Sequence, residues 1–370
     1  MSAAVKPPFR ADQVGSLLRP VALREARAAR AVGTLSAESL RAAEDAAIIE
    51  AIAGQRRAGL RAVTDGEFRR AFWHYDFLGG LGGVELYEAD QGIQFKGGAT
   101  KAWGLRVKGP IRWQGHPFEE HFRFLAAHAG DGVPKLTIPS PSVLHFRGGR
   151  KAIDTHAYPA LDGFFHDLGA AYAQGVQAFA AAGCRYLQLD EVNIAYLCDP
   201  EQIAQLKARG EETEGLLGRY AALINQAIAG RPADMFVSMH LCRGNFRSMH
   251  IAAGGYDPVA EVLLNEIGVD AYFMEWDDER SGGFAPLRYL PKGKTVVLGL
   301  VTSKHGRLEA KDDLKRRLEA AARYAPIEQL ALSPQCGFAS TEEGNLLSVE
   351  EQWAKLRLCV EVAEEVWGQA

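Results

Sequence analysis

The chain has 370 residues, 47% of them hydrophobic and 24% charged, with 42 basic and 46 acidic side chains interspersed to a net charge of −4. This is the composition of a globular chain long enough to bury a large core. It excludes the basic runs of a nucleic-acid binder and any apolar stretch near the ~18–20 residues that span a membrane. Residues 1–10 lack the apolar region and cleavage site of a signal peptide, so the expected compartment is the cytoplasm. Five cysteines at wide spacings, Cys184, Cys198, Cys242, Cys336 and Cys359, do not make a disulfide framework.

Eight strand-like runs alternate with helical patterns along the chain. The first covers 12–16, in Asp12-Gln13-Val14-Gly15-Ser16, and a long Ala/Arg/Glu-rich helix follows over 36–58. The second is Ala62-Val63-Thr64, ending in Asp65-Gly66-Glu67-Phe68. Glycines and alternating residues then predict a β-rich excursion over 79–113, with strands at 93–95 and 105–111. A helix is expected over 118–127. The third run, 135–138, enters Pro139-Ser140-Pro141-Ser142 and a loop rich in Gly and Arg, before a long helix over 158–182. The fourth, 186–189, ends in Asp190-Glu191, and a helical pair covers 200–229. The fifth follows Asp234-Met235-Phe236-Val237-Ser238 and carries His240-Leu241-Cys242. A helix over 257–267 leads to the sixth, 271–276. The seventh is 295–301, followed by a helix over 308–323. The eighth, 330–333, runs into Pro334-Gln335-Cys336-Gly337, and a last helix covers 348–367. Eight such repeats predict one TIM (β/α)8 barrel domain over 1–370, with β-rich and helical insertions. An open doubly wound sheet is disfavoured because no Gly-x-Gly-x-x-Gly turn joins a strand to a helix.

Barrel enzymes carry their working residues at the C-terminal ends of the strands. Those ends hold Ser16, Glu67, Asp190, His240, Cys242, Glu275 and Cys336. His240 and Cys242 share a strand face, because residues i and i+2 point the same way. With Cys336 they make an N, S, S set, and Glu275 adds a fourth, oxygen ligand. Two thiolates favour Zn2+ over magnesium or calcium. The plainer alternative is one buried histidine and two buried cysteines, and that plain reading is kept for Cys184, Cys198 and Cys359. Such a zinc either activates water, with a carboxylate as base, or binds a substrate thiol and lowers its pKa. Two thiolate ligands donate charge to the ion and weaken it as a Lewis acid for water, which favours thiol alkylation.

The set His240-x-Cys242, Glu275 and Pro334-x-Cys336-Gly337 resembles the zinc site of the cobalamin-independent methionine synthase family. Gln13-Val14-Gly15-Ser16 is similar to that family's Ile-Gly-Ser strand. Asp65-Gly66-Glu67-Phe68 is similar to its Gly-Glu-Phe turn, and Gln188-Leu189-Asp190-Glu191 to its Ile-Asp-Glu strand end. The resemblance covers the catalytic, C-terminal barrel of the two that full-length members carry. It implies a barrel in which zinc activates homocysteine for methylation to methionine. It also implies that Glu67 and Asp190 hold the substrate ammonium, with Ser16 near the carboxylate; two carboxylates offset one buried cation. Capping or strand-end hydrogen bonding is the plain alternative for both acids.

Where the folate-dependent members place a histidine after strand seven, this chain has Gly299-Leu300-Val301-Thr302-Ser303. His305 lies further on, in what reads as a surface loop. The methyl donor is therefore open among methyltetrahydrofolate, a methylcobalamin (corrinoid) protein and other donors. Association with further copies of the chain is also open. Trp73-His74-Tyr75 offers an aromatic wall for a donor or plain core packing, and Arg280-Ser281-Gly282-Gly283 reads as a mobile loop over the site. Two other functions fit the barrel: alkyl transfer from an epoxide to a thiol such as coenzyme M, and a metal-free reaction of the uroporphyrinogen decarboxylase type. The first is opposed by Glu67 and Asp190, which would repel a sulfonate, and the second by the metal-type ligand set.

Overall fold

Short, almost entirely buried strands form a parallel ring with helices outside it. The computed structural model describes residues 6–370; the first half of the 1–10 stretch, read above as lacking a leader, lies outside the described residues. The first ring strand with a ladder is β1 (Ala62–Val63). An excursion follows, holding β2 (Gly82–Glu88), β3 (Gln94–Phe95), β4 (Gly98–Ala99) and β5 (Trp103–Arg112). The ring resumes with β6 (Val133–Pro134), β7 (Leu136–Pro139), β8 (Tyr186–Glu191), β9 (Phe236–Leu241), β10 (Ala271–Glu275), β11 (Thr295–Val301) and β12 (Leu330–Pro334). Strands β7 to β12 lie side by side in chain order, all parallel. β1 pairs in parallel with β6, which continues through Lys135 into β7.

The expected first strand departs from a regular ladder. Ala11 alone bridges Leu332, in parallel, although this contact still closes the ring between the first and last positions. Interior side chains take the carbonyls that a neighbouring strand would otherwise bind. Lys135 Nζ donates to Gln13 O, Gln188 Nε2 to Val14 O and Thr64 Oγ1 to Gly15 O, each at 2.6 Å. The backbone is satisfied without a ladder, as buried carbonyls require.

Alternation along the strands fills the ring in layers. Phe9, Ala62 and Tyr186 plug the lower end. Above them Lys135 Nζ meets Asp12 Oδ1 at 3.3 Å with both side chains fully buried, and Tyr186 donates to the other Asp12 oxygen at 2.8 Å. Val14, Phe273, Val297 and Ala331 form the next apolar layer. The next inward residues, Ser16, Asp190, His240 and Glu275, therefore emerge at the upper rim. A larger core joins the outer faces of the strands to the helices.

The outer helices have legible ends. Ser36 caps Ala37–Arg57 by accepting from Ser39 N, and Ser348 with Glu351 forms a capping box on Val349–Trp367. The expected 200–229 pair is Pro200–Ala208 and Leu216–Ile228. Four helices lie outside the sequence expectations: the single turns Tyr75–Leu78 and Asn193–Tyr196, and two longer ones. Val21–Ala31 buries only Leu23. Ser142–Gly148 stands where a loop was expected, burying Ser142 through Phe146 behind Pro141. In the excursion β2 pairs antiparallel with β5, and β3 with β4. The β3–β4 hairpin reaches the loop after β9, with Phe95 5.3 Å from Phe246 between ring centroids and Lys96 N donating to His250 O.

Candidate metal centre

The ends of β9, β10 and β12 bring His240, Cys242, Glu275 and Cys336 together. One ligand atom from each lies within 4.8 Å of all the others, and all four residues are buried. Cys242 Sγ and Cys336 Sγ are 3.6 Å apart, too far for a disulfide. A tetrahedral zinc with Zn–S bonds of about 2.3 Å needs an S–S edge of about 3.8 Å. Neither ring nitrogen of His240 has a hydrogen-bond partner, although the residue is buried; an orphaned buried imidazole is costly unless something binds it. The donor set and its spacing therefore fit zinc. In the metal-free geometry the hydrogen bond from Cys242 holds the Cys336 thiol well below its ordinary pKa, with His240 adding to the effect, and the same bond holds Cys242 up. Burial pulls the His240 imidazole down, but Cys336 outweighs it and leaves His240 raised.

Glu275 sits behind the other three. Arg243 N donates to its Oε1 and Arg280 Nη2 to its Oε2, both at 3.1 Å. Burial raises its pKa against the opposing charges of Lys304 and Arg280.

Ser16, Glu67, Asp190, His240, Cys242 and Cys336 line one pocket. Six of the seven candidates thus face a common space, and Glu275 backs it. Glu67 stands in a left-handed turn, with φ of 65° at Gly66 and 62° at Glu67, a conformation that favours glycine and costs energy for glutamate. Asp65 Oδ1 accepts from Glu67 N at 2.9 Å, and the buried Arg19 guanidinium ties down the carbonyls of Glu67 and Arg70 at 3.0 and 2.8 Å. The turn aims the carboxylate inward, where Thr137 Oγ1 donates to it at 2.8 Å and Arg70 lies 3.4 Å away. Burial pushes Glu67 up despite Arg70. Asp190, held by Gln188 Nε2 at 2.7 Å, is pushed up to about 7 by burial and by Glu67. Two buried carboxyls with too little cation between them make a receptor for a cationic group. Ser16 Oγ accepts from Ala339 N at 3.3 Å and sits where a Cβ on Gly337 would strike it, so the Cys-Gly pair shapes this wall.

Other expectations divide. Trp73 lines the pocket beside Phe72, whereas His74 is fully buried and Tyr75 faces the adjoining cleft. His305 is exposed. The segment 280–283 does not lie free over the site: Arg280 is anchored on Glu275 and Asp277, and Ser281 is buried. Arg147, Tyr196 and Asn245 also line the pocket, beyond the residues expected from the sequence. Asn245 stands in the His240–Asn245 stretch and donates to Gly337 O at 2.7 Å, a signal that was available. Arg147 lies in the helix Ser142–Gly148, where the sequence offers no such signal. Cys184, Cys198 and Cys359 are buried free thiols away from this cluster.

Known proteins share this barrel over nearly the whole chain. The family model of the cobalamin-independent synthase catalytic domain matches residues 9–365. A Bacillus subtilis protein of uncharacterised function, YxjG, is 52% identical over 98% of this chain and 96% of its own. The methionine synthase of Saccharolobus solfataricus is 24% identical over 94% of this chain and 92% of its own. Among solved structures, a putative vitamin-B12-independent methionine synthase from Listeria monocytogenes superposes with a TM-score of 0.79 at 39% identity, over 98% of this chain and 99% of its own. A B12-independent methionine synthase from Shewanella, solved with selenomethionine, shares the fold at a TM-score of 0.72 and 20% identity, over 97% of each chain. The barrel, its rim and these matches together assign the chain to the catalytic-domain family of the cobalamin-independent methionine synthases.

Proposed function

We propose that the chain, acting as one catalytic barrel over its whole length, is a zinc-dependent thiol methyltransferase that converts homocysteine to methionine. The observation that carries this reading is the union in one pocket of a His, Cys, Cys and Glu cluster with a paired-carboxyl receptor. His240, Cys242, Cys336 and Glu275 would hold the ion. Bound there, zinc would lower the pKa of a ligating thiol and keep it nucleophilic at neutral pH.

The chain's own groups do the rest. Glu67 and Asp190 receive the substrate ammonium, which fixes the distance from the amino group to the sulfur. Ser16, on the Gly337 wall, faces the carboxylate. Phe72, Trp73, Ile93 and Phe95 make the apolar side of the pocket, which limits water near the sulfur. In the reaction the S–H proton is lost, a sulfur lone pair forms the bond to carbon, and the donor keeps the electron pair of its broken methyl bond. Methyltetrahydrofolate, a methylcobalamin protein or another donor satisfies this balance.

The paired carboxyls favour an amino thiol over a sulfonated one such as coenzyme M. A metal-free decarboxylase would leave the ligand cluster without a task. The absence, among the described residues, of a helix long and apolar enough to cross a membrane accords with work on small metabolites in the cytoplasm. The test is methionine formation from homocysteine with each donor class, in wild type and in Cys242→Ser. The variant is expected to lose both metal and activity. Full turnover by the metal-depleted variant would overturn the mechanism.

A further inference from the structure

Glu275 has a second set of partners already in place. It is fully buried, and a carboxylate at such depth needs a cation wherever it stands. On its metal side are His240, Cys242 and Cys336. On the other side, Arg280 Nη2 reaches Oε2 at 3.1 Å. That guanidinium is itself fixed: Asp277 Oδ1 accepts from the same nitrogen at 2.9 Å, and Asp278 pairs with Nη1. Asp277 is in turn held by Lys304 Nζ at 3.0 Å and Thr302 Oγ1 at 2.9 Å. Lys304 leads off the loop after β11, and Arg280 belongs to a single 3-10 turn, Glu279–Ser281. Two cations and Asp277 thus form a brace behind one candidate ligand, and none of the three lines the thiol pocket.

We infer that Arg280 is a positioning residue that receives Glu275 when the carboxylate gives up its place among the metal ligands to the incoming thiol. The inference rests on the proposed thiol-activation reading. A dication with two thiolates and one carboxylate carries a net charge of −1, and exchanging that carboxylate for a substrate thiolate keeps the centre at −1. The released Glu275 would then be an unpaired buried anion, and Arg280 removes that penalty. The brace therefore lowers the cost of ligand exchange without touching substrate.

The experiment uses Co2+-substituted protein, whose visible absorption follows the ligand set, titrated with homocysteine in wild type, R280Q, E275Q and the E275Q/R280Q double variant. Wild type is expected to change spectrum as the thiol replaces oxygen; if it does not, the functional reading fails before Arg280 is at issue. Given that change, R280Q is expected to bind Co2+ at least as tightly but to need about tenfold more homocysteine for the same change, the size of one lost charged hydrogen bond. In the E275Q background, R280Q is expected to add little, because the anion it receives is gone. R280K, which keeps the charge, is expected to recover part of the loss and serves in place of R280Q should that variant not fold. Equal thiol titrations in wild type and R280Q, or the same loss with and without Glu275, would reduce Arg280 to a structural tie and overturn the inference.

Discussion

At the scale of single residues, the pocket works through charges that the barrel leaves under-compensated. Asp190, pushed up to about 7 by burial and by Glu67, carries its proton in mildly acidic solution and ionises as the pH rises. The apparent Kd for homocysteine, read by calorimetry, is therefore expected to fall as the pH is raised through about 7. Asp190→Asn is expected to flatten that dependence and to cost about 1.5–3 kcal/mol of binding, the range for a hydrogen bond to a charged group, while metal content is unchanged. Unchanged binding would remove the ammonium assignment. The same carboxyl acts oppositely on the free protein. Its folded pKa lies above the unfolded value of ~3.9, so its contribution to stability is fully present below that value and is lost as the pH rises through about 7. A chemical-denaturation series is expected to show Asp190→Asn with a shallower loss across this window.

At the scale of elements, each strand's inward column sets what the rim receives. The segment 12–16 is expected as a strand from the sequence, but it makes no ladder and the ring contact is the single Ala11 bridge; Asp12, Val14 and Ser16 nevertheless serve successive layers of the interior. That its carbonyls go to Lys135, Gln188 and Thr64 instead of a ladder was not legible, because those partners lie far off in sequence. The Asp12–Lys135 pair is the joint of this arrangement, with both side chains fully buried. Removing one member strands the other's charge, so Asp12→Ala is expected to cost about 3–5 kcal/mol in urea-unfolding stability. A loss within experimental error would mean that Lys135 is not relying on Asp12. The helix Ser142–Gly148 shows the opposite limit. Pro139 and Pro141 read as loop punctuation, but Pro141 precedes a helix whose stability comes from burying Val143, Leu144 and Phe146, a tertiary effect with no local signature.

At the scale of the whole molecule, the barrel brings seven residues distant in sequence to one rim. The ring order and the metal-type cluster were readable because strand ends in such a fold converge whatever lies between them. The depth of Glu275 behind the cluster was not readable, nor was the anchoring of Arg280, because both depend on how the loops after β10 and β11 pack against each other. The measurement that tests the central claim most directly is zinc stoichiometry on the purified protein, followed by zinc-edge absorption spectroscopy with and without homocysteine. The expected result is about one zinc per chain, as for a single catalytic site, with one sulfur ligand gained when homocysteine is added. A protein that holds no zinc after metal-replete purification, or a zinc whose ligands ignore homocysteine, would contradict the account.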